Sequence, residues 1–379
     1  MTAVQKKLSA LAIAAAFAGS ACAQTNVTIY GVADAGFVNS SGDRANGAKN
    51  ANFNGINSGI MSGSRLGFKG EEGLGNGLKA VFLLEYSLGI DVNGGVGSAT
   101  GSSANSRQSY VGLSHNRFGT VALGRQYAPG YNAASRNNPF GGSTAQAPLN
   151  LLTAAAGNSL SANEASRINN AVTYASPVWN GFSANAIYGF AENGGTTADG
   201  ISQGNGGVFG AGLNYANGPI NLDLVFQQRS GVATNPVTTS PVTTVSTQDN
   251  INEWALLGSY DFKVVKVFGS YQSQDDNNGT SAREGSNKTW QVGANIPVFG
   301  NGSIQASYAK LSWDRTGAGD NTAWALGYRH ALSKRTTLYT TYTLVDNDNN
   351  ALAAAGYLSQ TRAIGEKNAT LTAGLNHTF

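Results

Sequence analysis

Between residues 92 and 191 the chain carries five arginines, Arg107, Arg117, Arg125, Arg136 and Arg167, against a single acidic residue, Glu164. Fixed guanidinium charge does no covalent chemistry of its own. Gathered along a narrow path of low dielectric, it raises the local concentration of anions. Which way such side chains point is decided by the two-residue period of a strand. Arg65 falls in step with Gly67 and Lys69 against Leu66 and Phe68, and Arg167 in step with Asn169 and Thr173 against Ile168, Val172 and Tyr174. Both are expected on the polar face. Lys79 and Glu85 share a polar face opposite Ala80, Phe82, Leu84 and Tyr86, and Glu85 with Glu164 is expected to supply the negative side of a field across the path.

Other chemistries find no support. Gly200-Ile201-Ser202-Gln203-Gly204 has the spacing of a hydrolase nucleophile turn, but neither a strand before it nor a helix after it to strain the serine outward. Asp346-Asn347-Asp348-Asn349-Asn350 opens like a calcium loop, yet Ala351 stands where the glycine is required and Tyr357 where the closing glutamate belongs. His115, His330 and His377 lie far apart with no metal spacing, and no phosphate-cradling loop ending in Gly-Lys-Ser/Thr occurs. The reading is of a non-enzyme with no metal and no cofactor. A formal charge of +3, with lysines and arginines scattered singly, gives no nucleic-acid surface either.

The elements that would hold these residues are strands. Charged residues make up 12 % of the 379-residue chain, about half of the ~25 % usual for soluble proteins, while 41 % is hydrophobic and 50 residues are glycine. Lys6 and Lys7 precede an apolar run from Leu8 to Phe17 and the small residues Ala21-Cys22-Ala23, the pattern of a cleaved secretory leader over 1–23, which takes the only cysteine with it. Beyond it period two dominates. Ile220, Leu222, Leu224 and Phe226 alternate with Asn221, Asp223, Val225 and Gln227, and similar runs include Trp254-Leu256-Gly258-Tyr260 and Trp290-Val292-Ala294-Ile296.

Sixteen such segments are expected, the first at 26–38 and the last at 368–379, joined alternately by short turns and long polar loops. That layout predicts an all-β fold, a 16-stranded antiparallel transmembrane β-barrel with apolar residues outside and polar residues inside, because only a closed barrel pairs every strand backbone group in lipid. Tyr30, Tyr86, Tyr174, Tyr188, Tyr215 and Phe379 lie toward strand ends, where an interfacial aromatic girdle is expected. The apolar exterior suits lipid or a neighbouring subunit equally.

Several runs then look familiar together: Val27-Thr28-Ile29-Tyr30-Gly31-Val32-Ala33-Asp34-Ala35-Gly36, Ser64-Arg65-Leu66-Gly67-Phe68-Lys69-Gly70, Arg107-Gln108-Ser109-Tyr110-Val111-Gly112-Leu113, Phe118-Gly119-Thr120-Val121-Ala122-Leu123-Gly124-Arg125-Gln126 and a terminal His377-Thr378-Phe379. In order and spacing, residues 24–379 resemble the general diffusion porins of Gram-negative bacteria, particularly the β-proteobacterial type. The resemblance implies one barrel domain forming a homotrimer of the outer membrane, in contact with lipid and lipopolysaccharide, with Phe379 read by the barrel-assembly machinery. It implies passive passage of ions and small hydrophilic solutes, here with a preference for anions. It also assigns 127–166 to a third loop that folds into the lumen and narrows it, and adds Arg107 to a basic wall. Parity disagrees for Arg107, which is in step with Val111 and Leu113, so a bulge is required; Arg125 has the same difficulty and is expected at the strand rim. A porin specific for phosphate or another small anion, and a non-conducting barrel used in adhesion, are the alternative readings.

Overall fold

The computed structural model describes residues 26–43, 51–92, 95–96, 106–190, 206–230, 250–276, 285–358 and 361–379. The expected leader and the 200–204 motif lie outside them. The strands are β1 (Asn26–Gly42), β2 (Ala51–Ser58), β3 (Arg65–Gly75), β4 (Leu78–Gly89), β5 (Gly95–Val96), β6 (Ser106–His115), β7 (Gly119–Tyr127), β8 (Arg167–Ala175), β9 (Phe182–Gly189), β10 (Gly206–Asn217), β11 (Ile220–Ser230) and β12 (Ile251–Asp261). They continue with β13 (Lys266–Asp276), β14 (Asn287–Val298), β15 (Gly302–Trp313), β16 (Asn321–Ala331), β17 (Thr336–Asn347) and β18 (Lys367–Thr378).

All pairings are antiparallel, and β18 pairs with β1 to close the sheet. β2 and β3 pair with successive stretches of β1 and so form one stave, while β5 is a two-residue flap on β4. The result is a closed barrel of sixteen staves. The seam is finished by the chain end: Gly31 N donates to Phe379 O at 3.0 Å and Phe379 N donates back to Gly31 O at 3.1 Å. Position 31 favours glycine, because a Cβ there would stand 2.6 Å from the backbone oxygen of Arg65 and would also displace the Phe379 ring.

Alternation holds along the wall as the pattern requires. On β11, Leu222, Leu224 and Phe226 are 47, 51 and 40 % exposed, whereas Asp223, Val225 and Gln227 are buried. Neighbouring staves keep the phase, pairing Leu224 with Leu256 and Phe226 with Trp254. On the exposed face the aromatic rings of adjacent strands touch at a repeated offset: Trp254 with Tyr271, Trp290 with Tyr308 and Trp324 with Tyr342, at 5.3, 5.4 and 5.5 Å. Such cross-strand pairs contribute about 0.2–1 kcal/mol each.

Two local features depart from the sequence expectation. The segment 51–58, expected within a loop, is strand β2, and polar residues on both of its faces, such as Asn52, Asn54 and Asn57, hide its period. The segment 127–166 contains two helices, α1 (Pro129–Arg136) and α2 (Pro148–Ala155), each eight residues long and so too short to print a helical stripe.

That segment packs against the polar face of the wall. Its Gly130 N donates to Gln227 Oε1 (2.8 Å), Ser159 N to Glu253 Oε1 (2.7 Å), and Ser143 Oγ to Ile60 O (2.7 Å). It receives Gln305 Nε2 on Pro139 O at 2.6 Å, and Arg136 pairs with Asp223 at 2.5 Å. Glycines on the wall leave room for its rings. A Cβ at Gly293 would lie 2.5 Å from Pro139, one at Gly327 2.9 Å from Phe140, and one at Gly212 3.0 Å from Pro129.

Candidate functional site

Glu85 on β4 sits opposite Gly67 of β3, two pairs along from the Arg65–Ser87 pair, so its carboxylate meets Arg65 on a shared face. Their closest approach is Arg65 Nη1 to Glu85 Oε1 at 3.8 Å. Arg107 binds the same oxygen through Nε at 2.9 Å and donates from Nη2 to Tyr127 Oη at 3.1 Å. Tyr30 donates to the other carboxylate oxygen at 2.8 Å. Arg65 is steadied from its other side by Gly63 O, accepting from Nε at 2.9 Å, and by Ser62 Oγ at 2.5 Å. Glu85 and Arg107 are both buried, and a charge-assisted pair removed from water in this way is held by its hydrogen bonds as well as by attraction.

The parity conflict of Arg107 is resolved by a bulge. The β4–β6 ladder pairs Glu85 with Gln108 but Tyr86 with Ser106, leaving Arg107 as the extra residue, free to turn toward Glu85. A second irregularity lies between β7 and β8, where Gly124 pairs with Ala171 and Gln126 with Ile168; Gly124 has φ +133° and Asn170 φ +46°. Here Arg125 reaches the start of β8. It donates from Nε to Ser106 O at 2.9 Å, and its Nη1 and Nη2 reach Asn169 Oδ1 and Glu164. Arg167 binds the other oxygen of Glu164. The shift in phase also corrects the expectation for Ile168. That residue does not stand on the exposed apolar face but is buried with Ala128, Ala171, Ile187 and Val208.

Two arginine pairs are thus each clasped by one carboxylate. Glu85 and Glu164 do not form a separate negative wall, as the sequence suggested; each lies among arginines, and four guanidinium groups against two carboxylates leave two positive charges uncancelled. Lys79 is not part of this group. It stands near the short turn that follows β3, paired with Glu71 at 2.8 Å, and both side chains are about half exposed. Phe379 lies at the seam described above. Tyr30, expected in the outer girdle, points instead to Glu85, because it falls in step with buried Asp34 and out of step with exposed Val27 and Ile29.

The tyrosines that complete the site carry no sequence signal beyond their nearness to Arg125. Tyr127 at the end of β7 and Tyr131 on α1 stack at 3.8 Å with planes 10° apart, and Arg167 stands over both rings at 5.8 and 5.9 Å. Burial opposes ionisation of the Tyr131 hydroxyl. The guanidinium groups of Arg107, Arg167 and Arg65, with a hydrogen bond from Tyr127, outweigh it and hold the phenol below its ordinary pKa. The field here is positive. Between wall and helix lies a cavity of about 350 Å³ lined by Arg65, Arg107, Arg167, Tyr131, Ser135 and Thr144 among others, with no carboxylate among the described residues that line it. Among the described residues no cluster of His, Cys, Asp or Glu could hold a metal.

Comparison with known proteins agrees with this architecture. Residues 10–350 match the family described as Gram-negative porin. The chain is 32 % identical to outer membrane porin protein 32 of Delftia acidovorans, over 99 % of its own length and all of the relative's. It is 30 % identical to an outer membrane porin protein of Bordetella pertussis, over 89 % of this chain and 93 % of that one. Among solved structures, an anion-selective porin from Comamonas acidovorans superposes with a TM-score of 0.74 at 29 % identity, covering 94 % of this chain and all of the other.

Proposed function

The chain belongs to the Gram-negative porin family, the passive channels of the outer membrane, and from that premise we propose that it passes small hydrophilic solutes with a preference for anions. The observation that carries the preference is the cavity bounded by Arg65, Arg107 and Arg167, with no carboxylate among the described residues that line it. A permeating chloride or small carboxylate exchanges part of its hydration shell there for guanidinium N–H groups, while a cation meets uncancelled positive charge. Glu164 pairs with both Arg125 and Arg167 and holds Arg167 in place; buried Glu85 does the same for Arg65 and Arg107. The likeness to an anion-selective porin supports the same reading.

The segment 127–166 is the constriction in this proposal. Its hydrogen bonds to the polar face of β11, β12 and β15, and its contribution of Tyr131, Ser135 and Thr144 to the cavity, support that role. Export with a leader cleaved after Ala23, recognition of Phe379 by the assembly machinery, assembly as a homotrimer and contact with lipopolysaccharide complete the reading. The test is the reversal potential of the purified protein in a planar bilayer under a KCl gradient. Large ohmic steps with a chloride-favouring potential are expected; potassium-favouring steps would remove the arginines from the selectivity argument, and saturable block by one anion would favour a solute-specific porin.

A further inference from the structure

A second hollow on the polar face of the wall differs in chemistry from the arginine cavity. It has a volume of about 330 Å³ and lies between α1 and strands β6 to β9. Its polar groups include Gln108 and Tyr110 of β6, Thr120 and Gln126 of β7, Asn132 of α1 and Asn185 of β9, and no Asp, Glu, Lys, Arg or His stands among the described residues that line it. The strand period puts these groups on the lumen side. Gln108 and Tyr110 are out of step with exposed Val111 and Leu113, Thr120 with exposed Val121 and Leu123, and Asn185 is in step with buried Ile187. The hollow runs from Thr120, beside the short turn that precedes β7, to Asn132 on α1, and so lies on the short-turn side of the segment 127–166. Tyr127 borders it, while the stacking partner Tyr131 borders the arginine cavity.

Elsewhere on the wall the amide side chains bind the inward segment: Gln227 accepts from Gly130 N and donates to Ser159 O, Gln291 donates to Asn137 O, and Gln305 to Pro139 O. Here they are left over. Among the described residues no group hydrogen-bonds the side chains of Gln108, Tyr110, Asn132 or Asn185, and Asn185 Oδ1 is buried beside Gly212 without a partner. Gln126 is the fixed member. It is buried, donates from Nε2 to Ala122 O at 3.2 Å and accepts from Thr173 Oγ1 at 2.7 Å. Three amides and a phenol, all neutral and all able to donate and accept, thus surround one space that Tyr127, Pro129 and Ile187 border with apolar surface.

That lining discriminates by chemistry. A charged solute would give up hydration there for no counter-charge, and an apolar one would strip water from the amides without replacing its hydrogen bonds. A compact ring bearing several hydroxyl groups meets both demands, since each hydroxyl can accept from an amide NH₂ and donate to an amide oxygen while the C–H face of the ring lies on tyrosine. The volume, near the lower end of the ~300–1,000 Å³ of small-molecule pockets, suits a single such ring.

We propose that this hollow is a binding station for an uncharged, hydroxyl-rich solute of monosaccharide size. It goes beyond the anion-preferring reading and does not rest on it, because no arginine lines the hollow. Gln108 from the wall and Asn132 from α1 hold the solute from two sides. Water serves the same groups between visits, so binding is weak, as passage requires.

The experiment is bilayer recording on the full-length protein with methyl α-glucoside as the probe and triethylene glycol as a neutral solute of similar size with few hydroxyl groups. The glucoside is expected to reduce the current and add noise saturably, with a half-saturation in the millimolar range that is the same at 0.1 M and 1 M KCl, while the glycol lowers conductance only in proportion to its concentration. The double variant Gln108→Ala, Asn132→Ala removes one amide from each side and should raise the half-saturation about tenfold with the chloride-to-potassium ratio unchanged. Tyr110→Phe keeps the ring, and with it the fold, and should raise it about threefold. A glucoside response without saturation in wild type would overturn the proposal, and so would saturation by both solutes alike or a half-saturation that neither variant moves. A half-saturation that rises steeply with salt would place the sugar on the arginines and overturn it as well. The anion-preferring reading fails on a different result, a potassium-favouring reversal potential of wild type without any sugar.

Discussion

Replacing Arg65 and Arg167 together by glutamine removes both positive charges that the two carboxylates leave uncancelled, because the group then holds Arg107 and Arg125 against Glu85 and Glu164. Two net charges about 8 Å from an ion in a dielectric near 80 favour an anion by about 1 kcal/mol, or roughly fivefold in local concentration. The double variant should lose that enrichment and give a reversal potential close to that of free KCl diffusion. Glutamine keeps a hydrogen-bonding head, so Ser62 and Gly63 retain a partner for residue 65, and the barrel, whose strand ladders do not involve these side chains, should remain closed. The assay is the reversal potential at 0.1 M and at 1 M KCl, with heat-modifiable mobility as the check on folding. The difference between wild type and variant should shrink as the Debye length falls from about 10 Å to about 3 Å. A folded double variant that keeps the wild-type chloride preference at 0.1 M would refute the argument, since it would locate the selecting charge elsewhere.

Three further outcomes follow from the geometry. Gly293→Val places carbon where Pro139 now stands 2.5 Å from an ideal Cβ, so the loop must retreat from the wall by about 1 Å; a smaller single-channel conductance and a stability loss of about 1–3 kcal/mol are expected, and unchanged conductance would mean that the loop does not border the path. Asp223→Ala frees Arg136 and Asn137, which both bind its carboxylate, and should increase current flicker, with a cost near 1 kcal/mol because the Arg136 side chain is 41 % exposed. The Tyr131 phenol is held below its ordinary pKa, so raising the pH adds a negative charge to the arginine cavity; anion preference should fall on the alkaline side, and Tyr131→Phe should abolish that fall.

The barrel was legible because its physics is local and repeated. A lipid-facing residue must be apolar, its neighbours along the strand need not be, and Leu222 to Gln227 print that rule in the sequence and obey it in the structure. The phase is lost where a ladder slips. One inserted residue at Arg107 and the αL turn at Asn170 each rotate the side chains beyond them, and nothing in the sequence near Arg107 marks the insertion. Arg65, on an uninterrupted stretch of β3, is where parity placed it, while Ile168, beside the slip, is not.

What alternation cannot express is which partner a polar residue will meet. Glu85 and Glu164 were readable as polar, but their pairing with particular arginines depends on the slipped ladders at Arg107 and Asn170 and on the path of 127–166, as does the stacking of Tyr127 on Tyr131. The same holds for the wall glycines. Gly293 and Gly327 look like ordinary gaps in a strand pattern until the rings of Pro139 and Phe140 are seen filling them, at sequence separations of more than 150 residues. A glycine on the polar face of a barrel strand, where a small polar residue would serve as well for water, is therefore the mark of a surface meant to be covered. Testing each such glycine with a side chain, and reading conductance rather than stability alone, separates those that seat the loop from those that only relieve the wall.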